Sequence, residues 1–153
     1  MNRNWSLADL TVQFPEITDR HPAFRCSQPV GGRGRWLKQS VDGRRRQFGD
    51  VALHAEPGES LEVRLHHSWP TEVDAEEAEA LDTGLLRGLI HALLRPPYHV
   101  DGCLIVTDSV GYEREGTTPV SVTFAASLAM VDLLRKGGWD CDDTPSPAVA
   151  KRA

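Results

Sequence analysis

The chain has 153 residues, of which 40% are hydrophobic and 25% charged, and its formal net charge is −5. This is the composition of one globular domain rather than of a disordered or fibrous protein. No apolar run approaches the roughly 20 residues of a membrane-spanning helix, and the N-terminal residues lack the apolar core of a secretory signal, so we expect a cytoplasmic protein without membrane contact. The three cysteines lie far apart without metal-ligand spacing, which argues against a disulfide framework or a zinc ribbon and predicts free thiols.

The first half of the chain is predicted to be an arm followed by three strands. Residues 1–20 carry scattered apolar positions without a clear period, and we interpret them as an arm outside the domain. Beyond them, apolar and polar side chains alternate with the period of two that is typical of a strand with one solvent-facing side. The alternation is clearest where Leu61, Val63 and Leu65 are separated by charged residues. The pattern predicts strands at residues 35–40, 48–55 and 61–66.

The apolar period changes to that of a helix after residue 70. Apolar positions recur at intervals of three and four residues up to a Pro-Pro pair, which predicts an amphipathic helix over residues 75–94. A run rich in β-branched residues then predicts a strand over residues 98–107. Thr118 followed by Pro119 is typical of a helix start, and predicts a second helix over residues 119–136. Residues 139–153 are acidic and then rich in Pro and Ala, and we predict that they form a disordered tail.

The order of these elements predicts an α+β fold. We expect a two-layer sandwich in which two helices cover one face of a mixed four-stranded sheet. The helix and strand periods direct nine apolar side chains to a single core. They are Leu53, Val63, Leu65, Leu81, Leu85, Leu89, Val106, Phe124 and Leu128.

Charge is distributed unevenly along the chain. Residues 32–47 contain six basic side chains and one acidic one, whereas residues 71–82 contain six acidic side chains and no basic one. One end of the molecule is therefore expected to be cationic and another anionic. The negative net charge argues against a protein that is covered with nucleic-acid-binding surface.

Four segments resemble, in the same order, domain IV of translation elongation factor G. The most specific is the pair of runs Lys-Gln-Ser at 38–40 and Arg-Gln-Phe-Gly-Asp-Val at 46–51, which is similar to a strand, loop and strand of the family. Residues 87–93 resemble a helical segment of that domain, residues 105–112 the strand and loop that follow, and residues 124–129 its last helix. We therefore interpret residues 21–138 as a single domain IV-like domain.

The resemblance implies the left-handed βαβ fold that this domain shares with several ribosomal proteins, an exception to the usual right-handed crossover. It also implies that two loops, at residues 41–47 and 108–117, lie at the tip that in the family reaches the decoding centre and contacts messenger and transfer RNA. Both loops depart from the family pattern. The first is longer and contains three consecutive arginines, and the second has Glu113 where the family has a histidine.

The predicted RNA contacts lie in these loops and in the strand before the first of them. Guanidinium groups bind phosphates bidentately and stack on bases, which makes the arginine run the strongest candidate, although a short basic loop is commonly only solvated. A glutamine beside the run is also suited to shaping the loop, and a tyrosine in the second loop either stacks on a base or packs the loop. The full set is Arg44, Arg45, Arg46, Gln47, Lys38 and Tyr112.

No catalytic, metal or cofactor site is predicted. The chain lacks the Gly-x-x-x-x-Gly-Lys-Ser/Thr loop that cradles GTP phosphates, so any GTPase that serves it would be a separate partner. The histidines show no metal-ligand spacing. We expect a non-catalytic module that binds RNA or the ribosome. Two alternatives are a module that binds another protein, through the acidic helix or the surface of Trp36, Trp69 and Trp139, and a small enzyme on the same fold.

Overall fold

The computed structural model describes residues 3–15, 17, 24–94, 102–136 and 139–141. Within these ranges the chain forms seven strands and three helices. In order they are β1 (Asn4–Trp5), α1 (Leu7–Gln13), β2 (Phe24–Cys26), β3 (Val30–Gln39), β4 (Arg46–Pro57), β5 (Glu62–Leu65), α2 (Ala75–Leu93), β6 (Cys103–Gly111), α3 (Pro119–Arg135) and β7 (Trp139–Cys141).

Five of the strands form one mixed sheet in the order β1-β5-β6-β4-β3. Strands β5 and β6 are parallel and are connected through α2, whereas the other neighbours in this sheet are antiparallel. Three helices pack on one face of the sheet. The predicted α+β class with helices on one face is confirmed, but the sheet has five strands rather than four and is covered by three helices rather than two. Strands β2 and β7 form a separate antiparallel pair.

The six predicted elements are present with shifted ends. The strand predicted over residues 35–40 begins five residues earlier, at Val30, because its first half is rich in glycine and shows no side-chain alternation. The strand predicted over residues 98–107 is observed as Cys103–Gly111, and residues 98–101 lie outside the described ranges. Both long helices agree with the prediction within one residue at each end.

Side-chain caps fix the starts of the two long helices. The Asp74 carboxylate accepts a hydrogen bond from the Glu77 amide at 2.7 Å at the start of α2. Thr118 and Ser121 form a reciprocal capping box at the start of α3. Such caps satisfy amide groups that have no partner within the helix. The Ser121 hydroxyl also donates to the carbonyl oxygen of Phe48 at 2.7 Å, so the start of α3 is fixed against β4.

Glycines allow α3 to lie very close to the β3–β4 hairpin and to α2. A Cβ atom at Gly34 would lie 2.2 Å from a carbonyl oxygen of α3, and one at Gly49 would lie 2.4 Å from another. On α2, a Cβ atom at Gly88 would lie 2.2 Å from a carbonyl oxygen of α3. These distances are far shorter than van der Waals contact, so α3 keeps its position only while these residues have no side chain.

The inward face of α3 is not the predicted one. Phe124 and Leu128, both predicted to lie in the core, are 44% and 43% exposed, and Phe124 stacks on Trp36 with ring centroids 4.6 Å apart. The prediction was wrong because it gave weight to Phe124 and Leu128, whereas the close packing on glycine places Ala125 and Ala129 against the sheet. The buried residues of α3 are Ser121, Val122, Ala125, Ala126, Ala129, Met130, Leu133 and Leu134.

The other predicted core residues are buried, and all but one belong to a single cluster. Val106 is 4% exposed but lies opposite His54 and Arg64, on the face of the sheet that the helices do not cover. The predicted residues within the main cluster are Leu53, Val63, Leu65, Leu81, Leu85 and Leu89.

Both ends of the chain are more structured than predicted. Strand β1 pairs with β5, and the side chain of Leu10 on α1 is fully buried in the main core, so residues 4–13 belong to the domain. A helix of two turns is too short to show a convincing period in sequence. Residues 139–141, predicted to begin a disordered tail, form β7, and residues 142–153 lie outside the described ranges. No helix in the described part of the chain is long and apolar enough to cross a membrane.

Candidate nucleic-acid interface

The turn between β3 and β4 holds the backbone of the arginine run in a defined conformation. The Ser40 hydroxyl donates to Asp42 Oδ1 at 2.6 Å and accepts from the Arg45 amide at 3.0 Å, and the Arg44 amide donates to Asp42 Oδ1 at 3.1 Å. Gly43 has a φ of 74°, a left-handed conformation that glycine adopts without strain. The hydrogen bonds from Ser40 and from the Arg44 amide hold the pKa of Asp42 below its usual 3.8, so the ionised carboxylate keeps the turn closed.

The loop between β6 and α3, residues 112–118, lies beside this turn. Arg46 donates through Nε and Nη2 to the two carboxylate oxygens of Glu113, at 2.6 and 2.9 Å, across 67 residues of sequence. The Phe48 amide donates to the carbonyl oxygen of Gly116 at 2.8 Å. The hydrogen-bonded ion pair raises the pKa of Arg46 and lowers that of Glu113. Two loops that are distant in sequence therefore form one surface, which we call the loop surface.

Arg44 and Arg45 project from the loop surface into solvent. The Arg44 side chain is 86% exposed, with Nε 3.9 Å from an Asp42 carboxylate oxygen, and Arg45 is also exposed. Both line an open groove between the loops together with Arg114 of the second loop. The loop surface has a positive surplus, since the cations Lys38, Arg44, Arg45, Arg46 and Arg114 outnumber the acids Asp42, Glu113 and Glu115.

Lys38 and Gln47 are cross-strand partners at the base of the turn. Lys38 is exposed. The side-chain oxygen of Gln47 accepts a hydrogen bond from the Trp36 indole at 3.2 Å. Gln47 therefore links the turn to the Trp36 side chain in addition to lining the groove.

Tyr112 packs against the start of α2. Its hydroxyl donates to Glu77 Oε1 at 3.3 Å, and its ring meets Trp69 edge to face with centroids 6.4 Å apart. The ring of Tyr112 therefore already has an aromatic neighbour in the protein. Its stacking on an RNA base stays a prediction.

Further arginines near this site were not among the predicted RNA contacts. Besides Arg114, the side chains of Arg33 and Arg35 on β3 share the carboxylate of Asp50 on β4, at 2.7 and 3.1 Å. The hydrogen bond from Arg33 outweighs burial and holds the pKa of Asp50 below its usual 3.8. The guanidinium of Arg35 also lies 5.9 Å from the ring centroid of Phe48. The basic composition of residues 32–47 signalled these arginines, but their pairing with Asp50 depends on strand register.

A second polar cluster is buried between β6, α2 and the segment after β5. His67 Nε2 lies 2.7 Å from Asp82 Oδ1, His67 Nδ1 lies 2.7 Å from Thr107 Oγ1, and the Trp69 indole donates to Asp82 Oδ1 at 2.8 Å. The order Thr, His, Asp is that of a hydrolytic triad. However, Thr107 is fully buried and its hydroxyl accepts the His66 amide at 3.1 Å. The cluster therefore holds the elements together and offers no nucleophile to a substrate.

Comparisons with known proteins bear on the fold alone. No family model matches the chain, and no curated protein matches it. Among solved structures, the chain is similar to the crystal structure of ttk003000868 from Thermus thermophilus, with a TM-score of 0.61 and 18% sequence identity. The match covers 78% of this chain but only 18% of that one. At this identity the similarity shows a shared fold and says nothing about function.

The described residues contain no candidate metal centre: no three of their His, Cys, Asp and Glu side chains are grouped so that they could hold an ion. Cys26 and Cys103 are both buried, and no disulfide joins them.

Proposed function

We propose that this protein is a non-catalytic module that binds RNA or the ribosome through the loop surface. The observation that carries the proposal is the bidentate pair between Arg46 and Glu113, which holds the two loops side by side and leaves Arg44 and Arg45 in solvent. The sequence resemblance assigned these same two loops to an RNA-contacting tip. Their meeting at one end of the sheet is what such a tip requires.

We also propose that the fold is the left-handed βαβ arrangement of domain IV of elongation factor G. Support comes from the parallel β5–β6 pair connected through α2 and from the order of the surrounding elements. The match to a small part of a much longer chain is consistent with a unit that also occurs within larger proteins. On this proposal the protein acts in the cytoplasm, with any GTP hydrolysis supplied by a separate GTPase.

The arginines of the loop surface have different proposed roles. Arg44 and Arg45 contact phosphate, because guanidinium groups form charge-assisted bidentate hydrogen bonds with phosphate oxygens. Arg46 is a positioning residue, since its Nε and Nη2 donate to the two carboxylate oxygens of Glu113. Lys38 and Arg114 extend the positive surface on either side. Contacts of this kind position an RNA backbone and do not read its sequence.

The experiment compares the salt dependence of RNA binding between the wild type and an Arg44→Ala/Arg45→Ala variant. A labelled oligouridylate of about 20 nucleotides, long enough to span a single-strand binding site, serves as the probe in fluorescence anisotropy. Co-sedimentation with ribosomes and their separated subunits at two salt concentrations is the second measurement. Each phosphate contact on a single strand contributes about 0.7 to the slope of log affinity against log salt, so losing two contacts should flatten the slope by about 1.4.

An Arg87→Ala/Arg135→Ala variant provides the matched control. Both side chains are exposed on the helices, and the change in net charge is the same. This control should keep the wild-type slope. Equal weakening in both variants would mean that binding follows net charge and not the loop surface. A wild type without salt-dependent affinity for the oligonucleotide or any ribosomal particle would end the RNA proposal.

A further inference from the structure

Strand β3 is the last strand at one edge of the main sheet. Within the part of the chain that the structure describes, it pairs with β4 alone, and in an antiparallel pair the backbone groups of alternate residues point away from the partner strand. The Arg33 amide donates to Asp132 Oδ2 of α3 at 3.1 Å, which shows that odd-numbered residues of β3 point outward. The residues that present N–H and C=O groups at this edge are Gly31, Arg33, Arg35, Leu37 and Gln39.

Helix α3 protects only the first part of this edge. Asp132 binds the Arg33 amide, and Lys136 Nζ donates to the carbonyl oxygen of Gly31 at 3.1 Å. Natural sheets protect their edges because unpaired backbone groups recruit other strands. Beyond Arg33 this protection stops. Among the described residues, no group bonds the outward backbone of the last three edge residues.

Apolar side chains flank the unprotected part of the edge on both sides. Leu37 is 54% exposed on the sheet face that lacks helices, and Phe124 and Leu128 are exposed on α3. Trp36 stacks on Phe124, so aromatic surface continues from β3 onto the helix. A strand placed beside β3 would direct alternate side chains toward Leu37 on one face and toward Phe124 on the other.

The charged side chains around this edge indicate which kind of segment would bind there. Two carboxylates, Asp42 and Asp50, form ion pairs with arginines near the edge, and a positive surplus remains. We propose that the segment Arg35–Gln39 of β3 is a docking site for an extended acidic segment of another protein, which adds to the sheet as a further strand with apolar residues at alternate positions. The cations that favour acidic residues there are Arg33, Arg35, Lys38, Arg44 and Arg45.

Strand addition of this type draws affinity from main-chain hydrogen bonds and selectivity from alternate side chains. A nucleic acid lacks the regular alternation of donors and acceptors that the edge presents, so the edge favours a peptide. A second copy of this chain would bring two arginine-rich edges together, which like-charge repulsion disfavours. The docking site is independent of the proposed RNA function, although Lys38, Arg44 and Arg45 belong to both surfaces.

The test uses a labelled, N-acetylated heptapeptide of sequence Glu-Val-Glu-Phe-Glu-Val-Glu. Its acidic residues would lie on one face and its apolar residues on the other. We expect saturable binding in fluorescence anisotropy and shifts of the Arg35, Leu37 and Gln39 amides in a ¹⁵N spectrum. Two analogues carry N-methyl groups on one or the other set of alternate amides. One analogue should lose binding and the other should retain it, because only one set faces β3.

Variants of the edge separate backbone pairing from side-chain contact. Leu37→Pro removes an outward N–H without breaking a bond to β4, a position where edge strands tolerate proline. It should weaken binding by at least about tenfold, the effect of a lost hydrogen bond together with a steric block. Leu37→Ala keeps the N–H and should weaken binding less. Thermal melts of both variants confirm folding, and the methylated peptides report on pairing in the unaltered protein.

Each outcome decides for or against the site. Edge-residue shifts together with loss of binding in one methylated analogue support strand addition. A peptide with Gln in place of Glu that binds as tightly as the original would overturn the acidic preference. Absence of binding at about 1 mM peptide, the weak end of measurable affinities, or equal binding of both analogues would overturn the site. Dimerisation of the protein that Leu37→Pro abolishes would replace the acidic segment by a second copy of this chain.

Discussion

Asp82 is the residue on which the buried polar cluster depends. Its carboxylate accepts hydrogen bonds from His67 and Trp69, and Arg3 Nε lies 3.6 Å from its second oxygen. Both ring nitrogens of His67 are hydrogen-bonded, Nε2 to the Asp82 carboxylate and Nδ1 to the Thr107 hydroxyl. Burial opposes ionisation of Asp82, but the hydrogen bonds from His67 and Trp69, together with the electrostatic effects of His67 and Arg3, outweigh it and hold its pKa below 3.8. A single carboxylate thus connects the N-terminus, the segment after β5 and α2.

The first prediction concerns how the contribution of Asp82 to folding stability depends on pH. Because the folded-state pKa of Asp82 is depressed, its contribution to stability is fully present above about pH 4 and is lost as pH falls through the folded value. Asp82→Ala should lower the free energy of unfolding by about 3 kcal/mol at pH 7, since it leaves buried donors without a partner. For Asp82→Asn, the loss in free energy of unfolding relative to the wild type should be largest at neutral pH and should shrink below pH 4. Urea denaturation between pH 3 and 7 measures both, with Glu79→Gln on the exposed side of α2 as control. A deficit that stays constant over this range would contradict the assigned role.

The second prediction concerns Phe124, which the sequence analysis had assigned to the core. A fully buried phenylalanine would cost about 3 to 5 kcal/mol on replacement by alanine, but Phe124 is nearly half exposed and its main partner is the ring of Trp36. Phe124→Ala should therefore cost about 1 kcal/mol, the size of an aromatic pair. The fully buried Leu85 provides the contrast, because Leu85→Ala should cost about 2 to 5 kcal/mol. Chemical denaturation of both variants makes the comparison. Equal costs would mean that Phe124 is a core residue after all.

Among the elements, α3 is the one whose position depends most on glycine. Its backbone contacts Gly32 and Gly34 on β3 and Gly49 on β4, where no side chain fits between helix and sheet. The same helix presents Asp132 and Lys136 to the edge of β3 and Phe124 to Trp36. The depth at which α3 lies thus determines which part of the β3 edge is covered and which is free.

A matched pair of substitutions on β3 tests this dependence. Gly34→Ala places a methyl group 2.2 Å from an α3 carbonyl oxygen, whereas Gly31→Ala places one 3.8 Å from its nearest neighbour, the carbonyl oxygen of Leu53. We expect Gly34→Ala to lower the free energy of unfolding by about 3 kcal/mol, the upper part of the usual range for overpacking. Gly31→Ala should change it by no more than about 0.5 kcal/mol. Thermal and urea unfolding decide the matter, and equal stability of the two variants would show that α3 can shift without cost.

The elements that could be predicted from sequence are those with several periods of their own pattern. Helix α2 repeats its apolar positions over five turns, β5 alternates throughout, and Val51, Leu53 and Ala55 of β4 recur with a period of two, so both types were found with small errors at their ends. The prediction missed the first half of strand β3, because glycines show no alternation of apolar and polar side chains. The short β1 and α1 depend on tertiary contacts, and β2 and β7 pair across nearly the whole chain. No local pattern encodes such pairings.

The candidate site likewise has features that could be found from the sequence and features that could not. The arginine run and both loops could be found from sequence, because composition and motif order are visible there. The bond that joins the loops, from Arg46 to Glu113, could not be found, because it spans 67 residues and depends on where β6 ends. The engagement of Tyr112 by Trp69 and Glu77 likewise depends on the packing of α2.

For the molecule as a whole, the cationic and anionic regions of the sequence become neighbours and not opposite ends. Arg114 lines a depression with Glu72 and Glu77 at the start of α2, and it also lines the groove that contains Arg44 and Arg45. A polyanion on the loop surface would therefore meet repulsion on the α2 side and attraction along β3. For the proposed RNA ligand, this arrangement favours a path that leads from the loops toward Lys38 and not toward α2.

The last prediction asks whether the N-terminal residues fold with the rest as one unit. Leu10 on α1 is fully buried in the main core, whereas Val12, two residues further along the same helix, is 85% exposed. If α1 and β1 are part of one cooperative core, Leu10→Ala should lower the global free energy of unfolding by about 2 to 5 kcal/mol. Val12→Ala should change it by no more than about 0.5 kcal/mol. The measurement is urea unfolding followed both by circular dichroism and by tryptophan fluorescence, where Leu10→Ala should shift a single transition seen equally by the two probes. If residues 4–13 were an independent arm, Leu10→Ala would leave the main transition in place, and the loss of structure would be confined to a separate early step.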